Sequence, residues 1–304
     1  MVIFSLLGAR RRAVSLPPAD GLGGYVFATF STAQPKAYVY VSQNGINYQT
    51  IPRMVPYTDP DPAYVIRDPT VVRVGDHFVM AYTRALASNQ FGGPYTSWGL
   101  AQSSDLRSWT HVVTVTPGIP DTTVIWAPDL MFTNTTLYVY WALNGGDGGM
   151  YVQSATISDL TVWSDPTFVQ GFTLPVIDLN VIPYQDRYLG IIKDEGLMGN
   201  HYAAPGYGDL FVVWADSPLG PFTYADNIRL PISGYAEGPY LVPLPDGMLR
   251  LYFDRFMGAG WAYMDTTDLV TWTAPQYVTV PSGAPHSHRS VVPITEAEYV
   301  ALIV

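Results

Sequence analysis

The sequence predicts an all-β protein and, within that class, a five-bladed β-propeller. Of the 304 residues, 48% are hydrophobic and only 13% are charged, which excludes a disordered chain. Twenty-two tyrosines, together with 27 glycines and 26 prolines, favour strands and tight turns over helices. Two short patterns also recur in phase along the chain, as they do in strand-built repeats. An ordinary β-sandwich is the alternative, and it does not explain the shared phase.

The first pattern is a polar turn that ends in an aromatic residue. Clear copies read SSDLRSW, ISDLTVW and TTDLVTW, and weaker copies read SQNGINY and DSPLGPF. The final aromatic residues are spaced 61, 54, 59 and 50 residues apart: Tyr48, Trp109, Trp163, Phe222 and Trp272. We interpret each of them as an aromatic that fills the core of one blade.

The second pattern is a hairpin made of two alternating apolar runs. RDPTVVRVGDHFVMAYT (67–83) contains a Val-Gly-Asp turn, and similar segments follow at 127–143, 177–193 and 237–253. The fifth copy is HRSVVPITEAEYVALIV at the end of the chain. The early run GYVFATFS (24–31) has no such hairpin before it, so we expect it to complete the last blade. The sequence therefore predicts an N-terminal segment over 1–23 and one catalytic propeller over 24–304.

Composition excludes several classes of partner. A net charge of −10 argues against nucleic acid and against an anionic membrane, because both require a basic face. No apolar run approaches the length of a membrane span, and the absence of cysteine excludes thiol catalysis. The opening MVIFSLLGARRRAVS lacks the order of a signal peptide, because the charges follow a short apolar run. The sequence is compatible with secretion without indicating it, and we expect a monomer.

Each hairpin opens with an ionisable residue, and the five are spaced 61, 49, 59 and 51 residues apart: Asp68, Asp129, Asp178, Glu237 and His288. A single Asp before a strand is commonly a turn residue. In a propeller, however, equivalent positions on the first strand of each blade line the central channel at one height, so we expect one ring near one mouth. Crowded carboxyl groups differ in proton affinity, and two such groups perform glycoside hydrolysis. Glu237, beside the neighbouring Asp178, is the expected general acid, and Asp68 across the channel is the expected base.

The chain resembles glycoside hydrolase family 43 from about residue 24 to its end. The motifs that carry the resemblance are RDP (67–69), WAPD (126–129), IDL (177–179), AEGPY (236–240) and HRSVV (288–292). The resemblance implies a five-bladed propeller that hydrolyses arabinose- or xylose-containing glycans with inversion, as an α-L-arabinofuranosidase or β-xylosidase does. By position it implies that Asp68 is the general base, Asp178 the residue that modulates the acid, and Glu237 the general acid.

The resemblance also concerns His288, which matches a channel histidine that touches a central calcium ion or its waters in many family members. It therefore implies an optional structural calcium and no required cofactor. Two positions depart from the family pattern. Leu179 stands where the modulating aspartate is usually followed by Pro, and Arg289 stands where the histidine is usually followed by Gly. Both changes indicate an unusual subgroup with altered substrate preference.

Four residues are candidates for substrate binding: Trp126, Asp129, Arg255 and His288. Trp126 lies outside the apolar alternation, and its flat ring is suited to stacking on a sugar. Trp98 and Trp261 are weaker candidates for the same role. Arg255, like Lys193, ends the second strand of a hairpin, where its side chain either reaches sugar hydroxyls or forms an ion pair.

Two other functions remain open from the sequence. The first is a propeller that only binds carbohydrate, which the joint presence of Asp68, Asp178 and Glu237 argues against. The second is a related propeller glycosidase with galactan or fructan specificity. A retaining fructan hydrolase needs an Asn-Asp-Pro-Asn nucleophile motif and a Glu-Cys acid, and this chain has neither. The sugar and the choice between exo and endo attack depend on the mouth loops 84–97 and 196–209.

Overall fold

The alternating apolar runs form five antiparallel sheets of four strands each, which confirms the predicted five-bladed β-propeller. The structure is a computed structural model that describes residues 21–31, 33–34, 36–90, 92–119, 124–172, 175–195, 209–232, 236–255, 260–285 and 287–304. No helix within these ranges has the length and apolar character needed to cross a membrane.

The strands follow chain order from the channel outward in four blades, and the fifth blade combines the two ends of the chain. The first three strands, which belong to the closing blade, are β1 (Leu22–Phe30), β2 (Ala37–Ser42) and β3 (Gln49–Thr50). The first and second blades consist of β4 (Tyr64–Val74), β5 (His77–Leu86), β6 (Trp98–Ser103), β7 (Thr110–Val115), β8 (Ile125–Thr133), β9 (Thr136–Leu143), β10 (Met150–Thr156) and β11 (Thr167–Phe168). The remaining strands are β12 (Val176–Tyr184), β13 (Arg187–Asp194), β14 (Leu210–Ala215), β15 (Thr223–Arg229), β16 (Glu237–Pro243), β17 (Leu249–Arg255), β18 (Gly260–Thr266), β19 (Gln276–Tyr277) and β20 (Ser287–Thr295).

The four internal hairpins fold where the sequence predicts them. In the first three, two-residue turns join the paired strand ends, and each begins with a residue in the left-handed region: Gly75 at φ 64°, Asn134 at 55° and Gln185 at 54°. The fourth hairpin has a longer turn, in which Gly247 has φ 87°. Gly and Asn adopt this backbone region at little cost, which explains why those residues mark the turns.

The closing blade differs in part from the prediction. Strand β1 pairs with β20, with Val26 opposite Val292, so the early strand does complete the last blade. The predicted C-terminal hairpin is wrong, because the chain after β20 forms the helix α1 (Glu296–Ile303). The side chain of Thr295 accepts the N–H of Glu298, and the Glu298 carboxylate accepts that of Thr295, which is a capping box. The boundary at residue 24 stays a prediction, because residues 1–20 lie outside the described ranges.

The aromatic residues of the first pattern are not equivalent in burial. Tyr48, Phe222 and Trp272 are buried as predicted. Trp109 and Trp163 are half-buried and pack against the hydrophobic core, so they cover its edge rather than lie inside it.

The polar residues of the same pattern shape the turn that follows the third strand of a blade. In SSDLRSW, the side chains of Ser103 and Asp105 accept four backbone N–H groups of the turn. Thr266 and Asp268 do the same in TTDLVTW. The repeat therefore encodes this hydrogen-bonded turn more consistently than it encodes a buried aromatic.

Candidate active site

Every innermost strand carries a β-bulge at the same place. In each bulge two residues of the inner strand oppose one residue of the neighbouring strand. The first residue of each bulge has a positive φ, and these values are 48° at Asp68, 49° at Ala127, 57° at Asp178, 55° at Gly238 and 32° at His288. A bulge bends the strand and changes the direction of its side chains. The five bulges therefore define one level around the channel.

Only three of the five predicted ring residues share this level. Asp68, Asp178 and His288 each occupy the first position of a bulge. Glu237 comes one residue before its bulge, and Asp129 comes one residue after its own bulge ends. The expectation that all five lie at one height is therefore wrong for Glu237 and Asp129, because the ionisable residue does not occupy the same position relative to the bulge in every strand.

His288 lies between the carboxylates of the two aspartates. Its Nδ1 is 3.8 Å from Asp68 Oδ1, and its Nε2 is 3.8 Å from Asp178 Oδ1. Burial disfavours the charged imidazole, but Asp178, Asp68, Glu237 and Asp254 together raise the pKa of His288 above its ordinary value. A protonated His288 partly offsets the negative charge collected at this mouth.

The expected calcium requires several oxygen ligands around one point. Both ring nitrogens of His288 face carboxylates at 3.8 Å, and the described part of the chain has no group of three or more His, Asp or Glu residues placed to hold a metal ion. The described residues thus form no set of direct ligands for calcium, the optional calcium held through its waters stays a prediction, and the proposed reaction has no step that depends on it.

Asp68 is oriented by the neighbouring strand and the next blade. Thr83 of β5 donates its hydroxyl to Asp68 Oδ2 over 2.9 Å, and the same hydroxyl accepts the N–H of Ala127 over 2.9 Å. Both Asp68 and Thr83 are buried. The threonine hydroxyl therefore fixes one oxygen of the expected base and leaves the other toward His288.

Asp178 bridges two blades. Its Oδ2 accepts the backbone N–H of Gly238 over 3.0 Å, while Oδ1 has no hydrogen-bond partner among the described residues. A Cβ at position 238 would lie 3.3 Å from Cγ and Nδ1 of His288, and the backbone there has φ 55°. Glycine therefore permits both the bulge and the close approach of His288.

Glu237 lies just before its bulge, and its side chain contacts the preceding blade. Lys193 of that blade lies with Nζ 3.3 Å from Glu237 Oε2. The Glu237 side chain is 25% exposed, so it is accessible from the mouth.

Asp129 is placed deeper in the channel than the other acids. Asn180 donates Nδ2 to both of its carboxylate oxygens over 3.3 Å, and both residues are buried. Burial raises the pKa of Asp129 to about 8, although the hydrogen bond from Asn180 opposes that change. We therefore interpret Asp129 as a residue of the channel wall rather than as a substrate contact.

The remaining candidates for substrate binding differ in accessibility. Trp126 is half-buried. Gly145 lies so close to its ring that a Cβ added there would be 3.3 Å away. Arg255 is half-buried and donates Nη1 to the Tyr277 hydroxyl over 2.8 Å. Trp98 and Trp261 are 0% and 2% exposed, so they pack in the core and the weaker hypothesis of sugar stacking is wrong for both.

Three further residues belong to the site. Thr83 orients Asp68 through its hydroxyl. Asp254 pairs with Glu237 in the ladder, and its Oδ2 accepts the N–H of His288 over 3.3 Å. Glu195 follows β13 directly and lies with Oε2 2.8 Å from Lys193 Nζ. The one signal for them in the sequence is their place at the end of the second strand of a hairpin, next to residues such as Lys193 and Arg255.

Comparison with known structures finds the same fold. A family 117 glycoside hydrolase of the marine bacterium Zobellia galactanivorans matches with a TM-score of 0.57 and 18% identity, over 78% of this chain and 75% of that one. The GH43_1 enzyme from Xanthomonas citri complexed with xylose matches with a TM-score of 0.56 and 14% identity, over 77% and 79%. Xylan β-1,4-xylosidase from Bacillus halodurans C-125 matches with a TM-score of 0.47 and 20% identity, over 75% and 44%. The chain thus spans less than half the length of that enzyme.

Comparison of sequences gives the family. No curated protein matches the chain. The family model Glyco_hydro_43_rel, described as "Probable glycosyl hydrolase domain", matches residues 20–300. Because this match spans almost the whole chain, the protein belongs to the glycosyl hydrolase family related to glycoside hydrolase family 43.

Proposed function

We propose that the protein is an inverting glycoside hydrolase for arabinose- or xylose-containing glycans, of the α-L-arabinofuranosidase or β-xylosidase type. Asp68 acts as general base, Glu237 as general acid, and Asp178 modulates Glu237. One observation carries the proposal. The blade of His288 lies between the blades of Asp68 and Glu237, so the two carboxyl groups reach the channel from positions that are not adjacent.

Separated carboxyl groups favour inversion. Inverting enzymes keep the two groups roughly 6.5–9.5 Å apart, so that a water molecule fits between one of them and the sugar. In the proposed reaction Asp68 takes a proton from that water, and the oxygen of the water attacks the anomeric carbon. Glu237 gives its proton to the glycosidic oxygen as the bond between this oxygen and the anomeric carbon breaks. The leaving group departs as an alcohol, and solvent restores both protonation states.

The surroundings of the site favour a neutral sugar. Asp68, Asp178, Glu237 and Asp254 gather around His288, so an anionic sugar would meet several carboxylates of like charge. We expect the half-buried Trp126 to stack on a sugar ring and Arg255 to contact sugar hydroxyls. The Xanthomonas citri relative was determined with xylose, which supports a pentose. Of the predicted specificity loops, 84–97 is described except at residue 91, whereas 196–208 lies outside the described residues.

The test is hydrolysis of the 4-nitrophenyl glycosides of α-L-arabinofuranose, β-D-xylose and β-D-galactose. We expect release of nitrophenol from one of the two pentosides. On an unactivated pentose oligosaccharide we expect a loss of about 10²–10⁴-fold in Asp68→Asn and in Glu237→Gln. The control is Asp186→Asn, which also removes one negative charge, because Asp186 is exposed in the β12–β13 turn. Binding of pentose oligosaccharides without hydrolysis would support the carbohydrate-binding alternative, and preference for the galactoside would contradict the proposed substrate class.

A further inference from the structure

A buried lysine connects the proposed acid to a second glutamate. Lys193 is 1% exposed, and its Nζ lies 2.8 Å from Glu195 Oε2 and 3.3 Å from Glu237 Oε2. A buried ammonium group is costly unless it is paired. Removing its partner is strongly destabilising, because an uncompensated charge is then left in the interior. The Lys193 ammonium therefore contacts the carboxyl groups of both glutamates, and Glu195 is the nearer of the two.

The position of Glu237 just before its bulge places it beside this lysine. Lys193 pairs with Ile177, which occupies the same position before its bulge as Glu237 occupies on the next blade. From that position the Glu237 side chain extends toward the end of β13 on the preceding blade. There it meets Lys193, and Glu195 follows two residues later along the chain.

The shared ammonium has two opposing effects on a general acid. It occupies Glu237 Oε2, so the proton that is transferred resides on Oε1. At the same time a nearby cation favours the ionised form of a carboxyl group, which is the wrong form for a proton donor. Glu195 counters the second effect, because its shorter contact with Lys193 neutralises much of the ammonium charge.

We propose that Lys193 and Glu195 are positioning residues for the hydrolysis: Lys193 fixes Oε2 of Glu237, and Glu195 limits how strongly the ammonium ionises that acid. This inference rests on the proposed function. In the part of the chain that the structure describes, Asp178 on β12, Asp254 on β17 and His288 on β20 also lie around Glu237. All three remain in the variants that test the proposal, so changes in those variants report on Lys193 and Glu195.

Opposite changes are expected in the pH dependence of kcat/KM. Glu195→Gln removes the nearer carboxylate from Lys193 and leaves the contact with Glu237, so the alkaline limb of kcat/KM should move to lower pH by about one unit. Lys193→Met removes the cation, so the limb should move up by a similar amount, and kcat should fall because Oε2 is no longer held. The matched controls are Asp216→Asn and Arg187→Met, which break an exposed ion pair on the same blade with the same charge changes.

A second readout keeps the inference testable without turnover. In protein labelled with ¹³C at the glutamate carboxyl carbon, the titration midpoint of Glu237 is assigned by its absence in Glu237→Gln. This midpoint should move to lower pH in Glu195→Gln, which retains the buried lysine and therefore folds more readily than Lys193→Met. An unmoved midpoint, or shifts of one sign in both variants, would overturn the inference. Failure of the wild-type protein to hydrolyse any glycoside would contradict the proposed function, and the titration would still decide this point.

Discussion

The backbone N–H of Gly238 donates to Asp178 Oδ2 over 3.0 Å, which links the proposed modulator to the residue that follows the proposed acid. The carboxylate of Asp178 thus lies one blade away from Glu237 and is held there by the main chain rather than by a flexible side chain. This geometry gives the negative charge of Asp178 a fixed position relative to the proton donor.

We expect Asp178→Asn to move the alkaline limb of kcat/KM to lower pH, because the nearby negative charge that favours the protonated acid is removed. The amide oxygen of Asn still accepts the N–H of Gly238, so the fold should be retained. The measurement is the pH–rate profile beside that of Asp186→Asn. A reduced rate with an unmoved limb would indicate that Asp178 contacts the substrate instead.

A second prediction concerns stability and Asp129. Burial raises the pKa of Asp129 from its ordinary value of 3.8 to about 8, so the folded protein binds a proton that the unfolded chain releases between these values. The contribution of Asp129 to stability is full below about pH 4 and is lost as the pH rises toward 8. Asp129→Asn keeps the group neutral, so the free energy of unfolding should fall less steeply across this pH range than in the wild type. Urea unfolding at several pH values measures this difference, and parallel curves would contradict the role of Asp129 as a buried neutral acid.

A third prediction concerns Thr83, whose hydroxyl serves both Asp68 and Ala127. Thr83→Val leaves the buried N–H of Ala127 unpaired, which should cost about 1–3 kcal/mol in the free energy of unfolding. It should also lower kcat, because Asp68 loses the donor that orients it. Thr83→Ser retains the hydroxyl and is the matched control. Equal effects of Val and Ser on turnover would show that the hydroxyl does not act through Asp68.

The sequence predicts the blades well because each blade repeats the same alternation and the same turn chemistry. It places Asp68, Asp178 and His288 together correctly, since all three open a bulge. It misplaces Glu237 and Asp129, because these two residues stand before and after their bulges, and the spacing does not show where in each strand the bulge begins. Of the five bulge-opening residues, Gly238 is the one that lacks a Cβ and so adopts the left-handed backbone without steric cost. The contacts of Lys193 and Thr83 also escape the sequence, since they join different strands or different blades.

A fourth prediction separates the acid from the base by leaving group. Glu237→Gln should impair glycosides of poor leaving groups far more than 2,4-dinitrophenyl glycosides, because a good leaving group departs without a proton. Asp68→Asn should impair both kinds of substrate alike, since water needs activation in each case. The measurement is the ratio of kcat/KM for the two substrates in each variant. Equal ratios in both variants would contradict the assignment of Glu237 as the acid and Asp68 as the base.

The stereochemistry of the product tests the central claim most directly. In the proposed mechanism Asp68 activates water across a channel mouth that also holds His288, and Glu237 donates from a blade that is not adjacent. Proton NMR of the first-formed sugar, recorded before mutarotation, should therefore show an anomeric configuration opposite to that of the substrate. Retention of configuration, or a trapped covalent glycosyl ester on Asp68, would contradict the proposed mechanism even if hydrolysis is observed.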